Sequence, residues 1–136
     1  MFLISQKLDK VYGTNNSYII NNGRRFKCKE VASYQKSWEF LASANRHIFR
    51  NFDPKSNYIQ LDIMWYNPKF YKKNGELSKT AGDTDGVVKF IKDGICDGIG
   101  LNDAFVKKES VIQLPSDLSH HSVSVVVSIE YLSGLV

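Results

Sequence analysis

From Ser122 to Tyr131 the side chains alternate, with Val123, Val125, Val127, Ile129 and Tyr131 pointing one way and Ser122, Ser124, Ser128 and Glu130 the other. A repeat of two is the signature of an extended strand with one face buried, and a helix cannot gather such a pattern into a single stripe. A lone strand is not stable in water, so a chain carrying this segment must build a sheet around it. Tyr58 to Trp65 repeats the pattern, with Ile59, Leu61, Ile63 and Trp65 on one side and Tyr58, Gln60, Asp62 and Met64 on the other. Between these strands the period changes.

Val31, Tyr34, Trp38, Leu41, Ile48 and Phe49 recur mostly at three, four and seven, which predicts one long helix from about Lys29 to Asn51, ahead of Pro54. Val87, Val88, Ile91 and Ile95 form a shorter apolar stripe, predicting a helix that begins after Asp85 and stops at Gly98. Phe2 to Leu8 reads as an opening strand, Asp9 to Arg25 as an Asn- and Gly-rich loop, and Asn67 to Gly82 as a basic loop. A further strand ends near Leu114-Pro115, and His120-His121 reads as a turn. The expected order is β-α-β-α-β-β, an α/β (α+β) fold with a mixed sheet of about four strands and both helices on one face. At 136 residues, the chain has room for one such domain over 1–136 and not for two.

The hydrophobic share of 43% and charged share of 24% are those of an ordinary globular domain and argue against disorder. The longest apolar stretch, Val123 to Ile129, falls far short of the roughly 18 residues of a membrane span. Met1 to Ile4 has no basic flank and soon meets Gln6, Lys7 and Asp9, so a cytoplasmic protein is expected. Cys28 and Cys96 form no C-x-x-C pair, which disfavours structural zinc and a disulfide scaffold. Net charge divides the chain: residues 1–82 hold 14 Lys or Arg and 6 Asp or Glu, a net +8, whereas residues 83–136 hold 4 and 8, a net −4. A basic first part suits a polyanion, and an acidic second part suits metal ligands or a solvated surface.

The sharpest local pattern is Asp83-Thr84-Asp85-Gly86, with Lys89 four residues after the second aspartate and Asp103 beyond the short helix. Aspartates at i and i+2 in extended backbone point to one side and can share a hard divalent cation. The helix is about 18 Å long, and the steps from Cys96 to Asp103 can stretch to about 23 Å, so Asp103 is expected to return beside Asp83 and Asp85. An EF-hand fails, because Ala81 and Lys92 fall where its first ligand and its bidentate acid belong. The same residues also fit a turn and N-cap, with Asp85, Lys89 and Asp93 as surface pairs. Spacing alone leaves both readings open.

Asp83-Thr84-Asp85-Gly86-Val87-Val88-Lys89, then Asp93, then Asn102-Asp103-Ala104-Phe105-Val106 resembles the RusA-type Holliday junction resolvases of phages and prophages. Their pattern runs D-x-D-N-x-x-K, D-A-L, D-D-x-x-V; here Gly86 replaces the usual Asn and Asn102 the first of the paired aspartates, and no arginine run directly precedes Asp83. Asn15-Asn16 corresponds more loosely to an Asn-containing loop of the family. The resemblance implies a Mg²⁺-dependent homodimeric endodeoxyribonuclease that nicks a four-way DNA junction symmetrically. Asp83, Asp85 and Asp103 would hold one or two Mg²⁺ ions, and Lys89 would face the scissile phosphate. Arg24, Arg25, Lys27 and Lys29 are candidates for backbone phosphates, as are Lys69, Lys72, Lys73 and Lys79 of the basic loop, where Phe70 or Tyr71 could stack on a base. The rival expectation is a noncatalytic DNA-binding phage regulatory module with the same fold, and a third is an unrelated α/β domain whose aspartates only cap a helix.

Overall fold

The computed structural model describes residues 1–14 and 18–135. Strand β1 (Phe2–Leu8) opens the chain, and the hairpin β2 (Tyr18–Asn21) and β3 (Arg24–Lys27) follows. Helix α1 (Lys29–Ser43), β4 (Asn57–Asn67), α2 (Val88–Ile99), β5 (Val106–Pro115) and β6 (His121–Tyr131) complete the fold. Apart from the hairpin, this is the expected β-α-β-α-β-β order. The main sheet runs β1-β6-β4-β5, antiparallel at β1/β6 and β6/β4 and parallel at β4/β5. The parallel pair requires a crossover, and α2 is that crossover.

One face of the sheet is dry. Ile59, Leu61, Ile63 and Trp65 of β4 lie beside Val123, Val125 and Val127 of β6 and Phe2 and Ile4 of β1. Val31, Tyr34, Trp38 and Ala42 of α1 and Phe90, Ile91, Ile95 and Ile99 of α2 cover them. Full burial of each such aliphatic or aromatic side chain contributes about 1.5–3 kcal/mol, which is why the period-two and helical stripes end up facing each other. The opposite face is open: Leu3 and Ile112 are exposed there, and Ser110 Oγ donates to Asp62 Oδ1 at 2.6 Å.

The two helices meet through glycine. A Cβ on Gly94 would lie 2.4 Å from the Gln35 carbonyl oxygen, and one on Gly98 2.4 Å from that of Glu39 and 2.8 Å from Ala42 Cβ. Gly98 is therefore a packing residue inside α2 and not its stop; the helix ends at Gly100, whose φ of 77° is the left-handed geometry of a C-cap. The long helix is also shorter than its periodicity implied. It ends at Ser43, and Ile48 and Phe49 reach the core from a separate 3-10 turn, Arg46–Phe49. The loop expected over Asp9 to Arg25 contains the β2/β3 hairpin, which turns at Asn22 (φ 51°) and Gly23 (φ 76°). An Asn-Gly pair at positive φ is the favoured two-residue hairpin turn, so this dipeptide is the local signal for the hairpin.

Candidate active site

The acidic motif hangs from the last residue of β4. Asn67 is fully buried, and its Nδ2 donates to the Ala81 carbonyl at 2.7 Å and to Gln113 Oε1 at 3.0 Å, while its Oδ1 accepts from the Lys69 amide at 2.9 Å. Gln113, on neighbouring β5, donates from Nε2 to the Gly82 carbonyl at 2.9 Å. Two side-chain amides from adjacent parallel strands thus clamp the backbone just before Asp83. Gly82 has φ 102°, and a Cβ there would lie 2.9 Å from Trp65 Cη2, so only glycine lets the segment rest on the buried indole. Gly86 packs against Gly13 and Thr14, with Thr14 Oγ1 only 3.3 Å from where a Cβ would be. Between these two close approaches stand Asp83 and Asp85.

Both aspartates are exposed, and both open on one cavity of about 340 Å³. Lys10, Thr14, Lys69, Thr80 and His121 line it with them, and Trp65 forms part of its wall. Neither carboxylate hydrogen-bonds or ion-pairs with a described residue, and α2 begins at Val88 with no side-chain cap. The helix-capping reading of Asp85 is therefore not borne out: α2 starts only three residues later, at Val88, and the turn before it leaves Asp85 on the cavity.

Asp103 does not join them. It lines a separate cavity of about 390 Å³ with Gln35, Asp93, Cys96, Asp97, Leu101 and Asn102. The sheet register shows why. Val106 pairs with Ile59 and Gln113 with Trp65, so Asp103 lies beyond the first end of β4, whereas Asp83 lies beyond its last end. The reach from Cys96 was long enough in principle, but the chain turns at Gly100 and caps a short turn by Asn102 Oδ1 accepting from the Ala104 amide at 2.8 Å. It then starts β5 at once, and β5 itself makes the return journey. Among the described residues, no group of three or more His, Cys, Asp or Glu side chains gathers into a metal site.

Burial, reinforced by Asp103 and Asp93, pushes the Cys96 thiol up to about 12, so it is no thiolate nucleophile or ligand at neutral pH. Lys89 Nζ pairs with Asp93 at 3.4 Å, one turn further along α2. In the basic loop, Tyr71 bridges Leu77, and Lys72 lies 3.9 Å from Glu76 across the turn. Lys69, Lys72, Lys73 and Lys79 are all exposed, but of the four only Lys69 reaches the cavity of Asp83 and Asp85. Phe70 and Tyr71 pack edge to face at 4.9 Å. Arg24 and Arg25 lie on β3, and Asn15 and Asn16 fall outside the described residues.

Asn67, Gln113, Trp65 and His121 escaped the sequence-based reading of the site, because their roles depend on strand pairing that no local pattern displays. Residues 10–130 match the family model described as Endodeoxyribonuclease RusA. No curated protein matches the chain.

Proposed function

Because the chain belongs to the RusA endodeoxyribonuclease family, we propose that it cuts branched DNA, four-way junctions above all, by metal-assisted phosphodiester hydrolysis at Asp83 and Asp85. The observation that carries this reading is a pair of exposed carboxylates, unpartnered among the described residues, on one cavity flanked by Lys69 and Lys10. Such a pair fits Mg²⁺, which takes one or two carboxylates and leaves its other positions to water and substrate phosphate. When bound, the ion would supply an acidified water and offset charge developing on the phosphate. Lys69 and Lys10 draw the anionic strand toward the acids, and the Asn67–Gln113 clamp keeps Asp83 from moving as it arrives.

Asp103 enters this reading through a second copy. A two-fold homodimer whose copies place opposite ends of α2 together brings Asp103 of the partner subunit to Asp83 and Asp85, which one chain cannot do across the roughly 18 Å of α2. In this reading Lys89 would exchange its pair with Asp93 for a phosphate oxygen. The partner is DNA in a bacterial, phage or prophage setting, in the cytoplasm. Among the described residues, no helix is long and apolar enough to cross a membrane.

The test is cleavage of a synthetic four-way junction in Mg²⁺, with linear duplex as the control. Junction-selective cutting is expected, and salt-sensitive binding without any cutting would favour the noncatalytic DNA-binding module instead. The basic loop makes its own prediction. Reversing Lys72 and Lys73 to Glu should weaken junction binding and flatten its salt dependence by about 0.9 in logarithmic slope for each phosphate no longer neutralised. An unchanged slope in a salt titration would remove this loop from the DNA path.

A further inference from the structure

The cavity of Asp83 and Asp85 holds one ring whose protonation is set by a neighbour. Trp65 Nε1 lies 3.0 Å from His121 Nδ1, and the two ring centres are 6.1 Å apart with an interplanar angle of 31°. An indole N–H can only donate, so Nδ1 must offer its lone pair and the neutral imidazole must carry its proton on Nε2. We propose that His121 is a neutral hydrogen-bond donor to a phosphate oxygen of the strand held at Asp83 and Asp85, and that Trp65 is the positioning residue that fixes its tautomer. This rests on the nuclease reading above.

Three observations converge on it. His121 lines the same cavity as the two aspartates and Lys69, so its ring borders the space open to a phosphate beside them. Trp65 is buried and also supports Gly82, the residue before Asp83, so one indole sets both the acid-bearing segment and the imidazole. Burial, with the charges of Lys69 and His120, holds the imidazole below its ordinary pKa and so keeps it neutral at neutral pH. With Nδ1 occupied and Nε2 protonated, the ring has no lone pair for a cation, which separates it from the ligand set. A neutral donor also escapes the repulsion that an imidazolium would suffer beside a divalent ion. The proton stays on Nε2 throughout, so no base or acid need be found for it.

The experiment has two arms. Long-range ¹H–¹⁵N spectra of the labelled full chain at neutral pH should show the Nε2–H tautomer for His121, identified by its disappearance in His121→Gln. The signal should move on adding junction DNA with Ca²⁺ and become a tautomer mixture in Trp65→Phe. In Mg²⁺, His121→Ala should lower kcat for junction cleavage by about 10- to 100-fold, the loss expected for one hydrogen bond to a charged group, with KM little changed. His121→Gln, which returns an N–H near the same place, should restore most of it. An Nδ1–H tautomer or an imidazolium at neutral pH overturns the proposal, as does cleavage by His121→Ala at the wild-type rate or an equal loss in both variants. A wild-type chain that cuts no junction overturns the nuclease reading and this inference with it, whereas an active enzyme indifferent to His121→Ala overturns this inference alone.

Discussion

Asp85→Asn should stop junction cleavage in Mg²⁺, by about a thousandfold or more, and still bind the junction in Ca²⁺. The substitution keeps the shape of the side chain and removes one charged oxygen donor from a pair, and each 1.4 kcal/mol of lost transition-state stabilisation is about a factor of ten. Binding should survive because the lysines proposed to meet the backbone are untouched. Asp103→Asn should be equally inactive although Asp103 lies at the far end of β4. Mixing the two inactive proteins then distinguishes the arrangements. In a mixed dimer, one site carries both changed residues and the other carries neither, so a one-to-one mixture should recover about a quarter of the wild-type sites and produce nicks, not paired cuts. If mixing recovers nothing, each site is built within one chain and the dimeric arrangement is wrong. If Asp103→Asn cleaves normally, Asp103 has no part in the chemistry.

The split between Asp85 and Asp103 shows what could and could not be read from residues alone. β4 and β6 were legible because one buried face enforces a repeat of two over many residues, and the parallel crossover was consistent with a strand, a helix and a strand in succession. The neighbour order was not, since nothing local says that β6 inserts between β1 and β4. Asp103 was misplaced for a related reason. Chain length bounds how far a segment can travel and says nothing about which way it goes, and the direction was set by Gly100 and Asn102 starting β5 early. Trp65 and His121 are 56 residues apart in the chain, and only the register that sets Trp65 opposite Val123 joins them. Gly98 was misread because a glycine near a helix end can be a stop or a packing residue, and the difference is made by the other helix.

That glycine makes the second large prediction. Gly98→Ala should destabilise the fold by about 1–3 kcal/mol, although alanine is the better helix former by about 1 kcal/mol. The added methyl meets the Glu39 carbonyl at 2.4 Å and Ser43 N at 3.0 Å, both main-chain atoms that cannot turn aside as a side chain would. Overpacking therefore outweighs propensity. Gly98→Leu should leave no cooperative unfolding transition, because its larger side chain forces α1 from α2 and opens the core over Trp38 and Ile95. Urea midpoints followed by tryptophan fluorescence check both, with Gly134→Ala, where a Cβ meets nothing within 4 Å, as the neutral control. A more stable Gly98→Ala would mean that the helices can move apart at little cost.

The strand order has a consequence for synthesis of the protein. β6 lies between β1 and β4, so the earliest strand of the chain has no partner in the main sheet until residues 121–131 emerge from the ribosome. A nascent chain that stops short of them can pair β4 with β5 but cannot seat β1, and it lacks His121 from the cavity wall. Such a non-local closure is late by nature, because the loop it closes spans nearly the whole chain. A translation product truncated before His121 thus lacks both the strand that seats β1 and one wall of the cavity on which Asp83 and Asp85 stand.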